Sequence, residues 1–460
     1  MKLYNTLSAR KETFETDSRE VKMYVCGPNL YGPCHVGHAL SYVFFDTLRR
    51  YLEHLGYTVR HVQNFTDIED RIIQVAKDRG TSISAVSQPY IDRFLHEMDA
   101  LGVQRATEYP RATEYIAQMI HIIQTLTDKG YAYAADGGDV YFRVRRVSAY
   151  GRLSKRTLDE MEAGSRIEVD PKKEDPLDFV LWKSAKPDEP FWESPWGPGR
   201  PGWHIECTAM SLGILGGQLD IHGGGHDVIF PHHENEIVQS EAYTGTSPFV
   251  RFWVHNGLLR LTEQDEDKMT RHQGNFITCE DALQRHTADA LRLFFLSSHY
   301  RSPMVYSEES LTGQERALDR LRRAVMSKSP EINKASLDPT PYRDRFFGAL
   351  EDDFNTPEAL ASLFDLAREI NRGIEEKLNT NDGRRALNEL AAILGLDLAR
   401  TSGASVLSSD PFVELLVQTR QDLRSAKHYE LADQIRDSMK ILGIELEDTA
   451  QGTEWRRSSI

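Results

Sequence analysis

Apolar positions along the chain change period several times, and each change marks an element. Lys22-Met23-Tyr24-Val25-Cys26 is a short β-prone run halted by Gly27-Pro28. After a loop rich in glycine and proline, Val43, Phe44, Leu48, Tyr51 and Leu52 recur at helical spacing between Ala39 and Leu55, and Gly56 stops the pattern. Tyr57 to Val62 reads as a second strand. Strand, helix and strand in this close succession predict a βαβ unit, hence a parallel sheet with its ligand site near the strand ends. Helical patterns follow from about Asp67 to Leu101 and from Tyr115 to Lys129.

From Gly130 to Pro201 the character changes. Asp136-Gly137-Gly138-Asp139 predicts a hairpin turn between Tyr131-Ala132-Tyr133 and Val140-Tyr141-Phe142. The chain then fills with proline, glycine and tryptophan, which reads as an insertion between two halves of the sheet domain. A second apolar, glycine-rich block runs from Gly202 to about Leu261. Beyond Thr262 the pattern is mostly helical, with breakers at Ser327–Pro341 and Thr401–Pro411, so the tail from Pro411 is expected to form a small separate domain.

Composition narrows the class. With 40% hydrophobic and 27% charged residues there is material for real cores, and global disorder is excluded. No apolar run approaches the ~20 residues that span a bilayer. Met1 to Thr6 lacks the apolar stretch of a secretory leader, so a soluble cytoplasmic protein without a membrane partner is expected. The net charge of −15 disfavours indiscriminate polyanion binding but leaves room for one local basic surface. Cys26, Cys34, Cys207 and Cys279 are too sparse for a disulfide framework, which points to metal binding or burial.

Three constellations carry chemistry. His35-Val36-Gly37-His38 stands at a helix start, where glycine allows close approach, the helix terminus favours phosphate and imidazole N–H groups stabilise negative charge. Two polar residues at an ordinary helix start would look the same. Lys268-Met269-Thr270-Arg271-His272-Gln273-Gly274-Asn275 places two cations on a glycine-containing loop, suited to neutralising a triphosphate or to being a solvated basic turn. Pro231-His232-His233-Glu234-Asn235-Glu236 sets His232 and Glu236 four apart on one helical face, and with Cys26 and Cys207 they make a plausible tetrahedral zinc set. The local C-x-x-C spacing of an obvious zinc site is absent, and two buried thiols beside a surface His/Glu pair is the plainer alternative.

Taken in order, these segments resemble the cysteinyl-tRNA synthetases, class I aminoacyl-tRNA synthetases, over nearly the full length. The resemblance runs through Tyr4–Leu7, Met23–Pro28, His35–His38 (the HIGH signature with Val for Ile), Asn64–Ile72 and Phe179–Lys183. It continues through Pro201–Cys207, Asp220–Gly225, Phe230–Glu236, Asp353–Pro357 and Gln451–Arg457. It implies an α/β fold: a Rossmann-type parallel-sheet catalytic domain in two halves (1–115 and 201–261) around a connective insertion (116–200). A lysine-signature and stem-contact region (262–310), a helical bundle (311–400) and a small α/β anticodon-binding domain (411–460) would follow.

The resemblance implies ATP-dependent activation of L-cysteine to the adenylate and transfer to the 3′ adenosine of tRNA-Cys. It implies one zinc per subunit held by Cys26, Cys207, His232 and Glu236, binding the substrate thiolate so that serine is rejected without an editing domain. Thr66, Trp203 and His222 would line the cysteine pocket. His35, Gly37, His38, Lys268 and Arg271 would face the phosphates of Mg·ATP, His255-Asn256-Gly257 the adenosine, and Asp227 the ribose or its own loop amides. A monomer is the family expectation. The lysine loop departs from the family's Lys-Met-Ser-Lys-Ser-Leu-Gly-Asn: its second lysine is Arg271, which keeps the charge in a planar fork. The nearest rival is the cysteine ligase of mycothiol synthesis, which shares adenylation but not Glu236 or the tail around Trp455; a non-catalytic paralogue is the other.

Overall fold

The opening strand, helix and strand are β1 (Glu20–Val25), α1 (Val36–His54) and β2 (Thr58–Gln63), with β1 and β2 parallel in the register Met23↔His61. The computed structural model describes residues 1–164, 170–261, 276–328, 335–399, 410–441, 444–449 and 452–457. α1 turns Val43, Phe44, Leu48, Tyr51 and Leu52 into the core, the set whose spacing marked it as helical. The stretch expected as one helical pattern from Asp67 to Leu101 is two helices, α2 (Asp70–Arg79) and α3 (Ile83–Ala100). Gly80 closes α2 in a left-handed cap at φ 61°, and the Ser82 hydroxyl caps α3 by accepting from Ala85 N–H at 3.1 Å. Apolar period alone misses this break because Ile72, Ala76, Val86, Ile91 and Phe94 all enter one core.

α4 (Ile116–Asp128) leads into the insertion. There Ala132–Ala134, Val140–Phe142, Phe179–Ser184 and Gly199–Pro201 form a four-stranded antiparallel sheet in that order. The turn at Gly137-Gly138 uses φ 93° at both glycines, as the sequence predicts for a hairpin. The chain then returns to the first sheet through α5 (Trp203–Leu215), β3 (Leu219–Gly225), α6 (Glu234–Thr244) and β4 (Val250–Asn256).

The completed sheet has the order β4-β3-β1-β2, every pair parallel. From β1 the chain moves to β2 on one side, and it later returns to β3 on the other. The carboxyl ends of β1 and β3 are therefore the topological switch point, where open parallel sheets leave a crevice for ligands. Cys26 sits there, its N–H donating to Gly223 O at 3.0 Å.

α7 (Cys279–Arg285) and Ala288–Leu296 follow, then a group of long helices: Glu308–Met326, Thr340–Glu351, Thr356–Glu375 and Asn381–Ile393. Arg292 fastens this region to α1: wholly buried, it donates to Asp46 Oδ2 at 2.6 Å and to Leu394 O at 3.0 Å. The last segment, from Arg400 onward, is a compact unit of its own. Its helices Asp410–Ser425 and Tyr429–Ile441 and the antiparallel hairpin Ile444–Thr449/Gly452–Arg457 gather around Val413, Val417 and Met439, with Trp455 packed against them. No helix among the described residues is long and apolar enough to cross a membrane.

Candidate active site and metal centre

Four chain segments converge on the crevice. The loop after β1 brings Cys26, α5 brings Trp203, His204 and Cys207, β3 brings His222, and the turn into α6 brings His232, His233 and Glu236. Cys26 is aimed by Gly27, which must be glycine: its N–H donates to Asn64 Oδ1 at 2.9 Å, and a Cβ there would lie 1.5 Å from Asn64 O. Trp203 and Cys207, four apart, share a face of α5, as His232 and Glu236 share theirs.

Cys26, Cys207, His232 and Glu236 each offer one ligand atom, and these atoms all lie within 4.8 Å of one another. Cys26 Sγ is 3.9 Å from Cys207 Sγ and 3.9 Å from Glu236 Oε1, and His232 Nε2 is 3.0 Å from Glu236 Oε1. Two sulfurs bound to one zinc at ~2.3 Å stand about 3.8 Å apart in a tetrahedron. The donor set and its spacing therefore fit zinc. Cys26, His222, His233 and Glu236 make a second overlapping set, with His233 Nε2 3.1 Å from Cys26 Sγ and His222 Nε2 2.9 Å from Glu236 Oε2.

The electrostatics are those of a site built to hold positive charge. Burial alone would raise the Glu236 carboxyl, but His222 and His232 beside it bring it down to about 2. Burial alone would lower His232, but Glu236 and Cys207 lift it to about 10. The hydrogen bond from Cys26 outweighs burial and brings the Cys207 thiol down to about 6, while burial first, and then Cys207, drive Cys26 well up. His204, His233 and His255 are pushed well down, in each case chiefly by burial, and stay neutral.

Around this cluster the sequence-predicted residues take clear positions. Trp203 stacks on His232 with ring centroids 4.4 Å apart and keeps 40% of its surface open, so it forms a wall of the crevice. His222 is fully buried between Tyr24 and Trp253. Thr66 is buried, its hydroxyl accepting from Asn64 Nδ2 at 3.3 Å. At the start of α1 the His35 and His38 rings stack at 3.7 Å, and His35 N–H donates to His38 Nδ1 at 3.3 Å. Gly37 lies between them. Asp227 is exposed in the turn after β3. His255, Asn256 and Gly257 are buried at the end of β4: His255 Nδ1 lies 2.8 Å from Thr6 Oγ1, Asn256 accepts from Ser41 at 2.8 Å, and Gly257 N–H donates to Tyr300 O at 2.7 Å. Lys268 and Arg271 lie outside the described residues.

Two histidines escaped the sequence reading. His204 Nδ1 is 3.1 Å from His232 Nδ1, and His233 Nδ1 is 2.8 Å from His255 Nε2. Both stand next to residues already singled out, but only the fold turns their rings inward.

Known proteins supply the rest. Residues 13–316 match the model of the tRNA synthetases class I (C) catalytic domain, and residues 345–399 match the DALR domain. The chain is 52% identical to the cysteine–tRNA ligase of Dehalococcoides mccartyi strain BAV1 across 99% of each chain. It is 48% identical to that of Methylococcus capsulatus over 99% of this chain and 100% of the relative. Among solved structures it resembles the Mycobacterium tuberculosis methionyl-tRNA synthetase bound to methionyl-adenylate, with a TM-score of 0.57 at 13% identity over 82% of this chain and 89% of that one. At that distance the likeness speaks for the fold alone. Identity near one half, sustained from end to end, places the chain in the cysteine–tRNA ligase family of class I aminoacyl-tRNA synthetases.

Proposed function

We propose that the crevice between β1 and β3 selects L-cysteine by its thiol, activates it with Mg·ATP and passes it to the 3′ adenosine of tRNA-Cys. The observation that carries this reading is the convergence of Cys26, Cys207, His232 and Glu236 within 4.8 Å at the switch point. These four residues would hold zinc. When bound there, zinc supplies a thiophilic Lewis acid for the substrate sulfur, which serine's harder and far less acidic hydroxyl cannot match. A pocket relying on shape alone would separate such near-isosteres only weakly.

The chain's own residues do the remaining work. Trp203, His222 and Thr66 enclose the amino acid, and the burial of His222 keeps water from the thiol side. His35 and His38, on either side of Gly37, donate to phosphate oxygens as the cysteine carboxylate attacks the α-phosphorus and pyrophosphate leaves. Lys268 and Arg271 neutralise the departing charge, and Asp227 with His255-Asn256-Gly257 holds the nucleoside. The terminal adenosine hydroxyl of tRNA then attacks the adenylate carbonyl, and AMP departs. Positioning and charge neutralisation provide the acceleration, with no covalent enzyme intermediate. The helices from Glu308 onward would bear on the tRNA and the unit from Arg400 on the anticodon, in a cytoplasmic monomer.

Cysteine-dependent ATP–pyrophosphate exchange tests this reading. Exchange by the purified protein, lost in His35→Ala and in Cys207→Ser, is expected. Exchange that persists in Cys207→Ser with zinc stripped would overturn the assignment of the thiol site.

A further inference from the structure

A second cluster lies apart from the site above and shares no residue with it: Cys34, Glu97 and Cys279. Cys34 ends the loop ahead of α1, Glu97 lies in the last turns of α3 and Cys279 opens α7. A backbone bridge sets them together. His35 pairs with Thr278 in antiparallel sense, Val36 N–H donates to Ile277 O at 3.0 Å and Cys279 N–H donates to Cys34 O at 2.9 Å. Cys34 therefore stands opposite Cys279. The two sulfurs and one Glu97 carboxylate oxygen all lie within 4.8 Å of one another, and all three residues are buried.

The neighbours satisfy only part of this cluster. Arg93 Nε donates to Glu97 Oε1 at 2.8 Å, and its Nη2 reaches Glu280 Oε2 at 2.8 Å, so one guanidinium is shared between two carboxylates. Glu97 Oε2 is buried and has no hydrogen-bond partner among the described residues. A buried carboxylate oxygen without a partner costs free energy that a native structure normally recovers. Burial, and then Cys34 and Glu97, push the Cys279 thiol well up, which means that the three groups repel one another once ionised. A disulfide between the cysteines would leave the Glu97 oxygen orphaned. A cation would engage all three.

We propose that Cys34, Cys279 and Glu97 form a second metal site, for a soft divalent cation of the zinc class. Two sulfurs and a carboxylate oxygen are three of the four positions of a tetrahedral centre, the fourth falling to water. The site joins the loop that carries His35 to the first described helix after residues 262–275. Metal there would pin together the chain on either side of the nucleotide-facing motifs.

The test is the metal content of the full-length protein, purified under reducing conditions, loaded with zinc and dialysed. Two equivalents are expected in the unaltered chain, and one each in Cys279→Val, in Glu97→Gln and in Cys207→Ala. Glu97→Gln keeps the size and a hydrogen-bonding group, so circular dichroism separates lost metal from lost fold. Cobalt loaded into Cys207→Ala should give a sulfur-to-cobalt charge-transfer band that Cys279→Val abolishes. Retention of both equivalents by Cys279→Val, or no metal in Cys207→Ala, overturns the proposal. So does a Cys34–Cys279 disulfide found by mass spectrometry in the freshly purified protein. The first site fails separately: zinc kept in full by Cys207→Ala but halved by Cys279→Val would leave this second site standing.

Discussion

Zinc uptake by the Cys26/Cys207/His232/Glu236 set should release protons, and the structure says how many. Without a cation, His232 at about 10 is an imidazolium, its Nε2–H directed at Glu236 Oε1 and its Nδ1–H at His204. Cys26, driven well up by burial, is a thiol, whereas Cys207 at about 6 and Glu236 at about 2 are already ionised near neutral pH. Ligation needs both sulfurs as thiolates and Nε2 bare, so binding expels one proton from His232 and one from Cys26. Between the Cys207 value of about 6 and the His232 value of about 10, affinity should climb about 100-fold per pH unit, ~2.7 kcal/mol. Below that window Cys207 adds a third proton and the dependence steepens. Titrating zinc into metal-stripped protein by calorimetry, in buffers of different ionisation enthalpy at about pH 7.5, counts the protons directly. Release of none, with affinity flat across the window, would refute the protonation states assigned here.

Three further outcomes follow from the surroundings. Arg292→Met should destabilise the fold by about 1–3 kcal/mol, because Leu394 O loses its donor while Asp46 keeps Arg50 at 2.8 Å; chemical denaturation measures it, and an unchanged stability would contradict the reading. His61 is brought down to about 3 by burial and by Arg49, so it folds neutral; its contribution is whole above its unfolded value of 6.5 and is lost as pH falls toward 3. By about pH 5.5 that loss is ~1.4 kcal/mol, and His61→Phe should narrow the stability gap between pH 7.5 and 5.5 by this amount, where an unchanged gap would speak against it. Gly27→Ala should abolish soluble folded protein or zinc retention, since its Cβ would fall 1.5 Å from Asn64 O; a normally folded, fully loaded variant would show that the loop yields.

Much of this was legible in the chain because the signals are local. The run from Lys22 and the periodicity through Leu52 fixed β1, α1 and β2 to within a few residues, and Gly137-Gly138 announced the hairpin that forms. What the sequence could not display was direction. His204 and His233 are adjacent to residues already noted, yet the rotation of α5 and of the turn before α6 turns them toward His232 and Cys26. The break at Gly80-Thr81-Ser82 was hidden because α2 and α3 bury into the same core. Trp455 illustrates the opposite limit: the resemblance marks only the tail around it, while the structure sets it in a hairpin strand against Val413, Val417 and Met439. The sequence joined Cys26 and Cys207 in one candidate set, but it gave no hint that Cys34 and Cys279 come together as a second pair.

The most direct measurement is the charging of total tRNA with labelled cysteine by the purified protein, with serine as competitor, before and after zinc is stripped and restored. Cysteinyl-tRNA that forms in the presence of excess serine, disappears on stripping and returns with zinc is the predicted result, and it would also show that charging tolerates Arg271 in the lysine loop. Charging that continues unchanged without metal, or seryl-tRNA formed alongside cysteinyl-tRNA, would contradict selection of cysteine through Cys26, Cys207, His232 and Glu236.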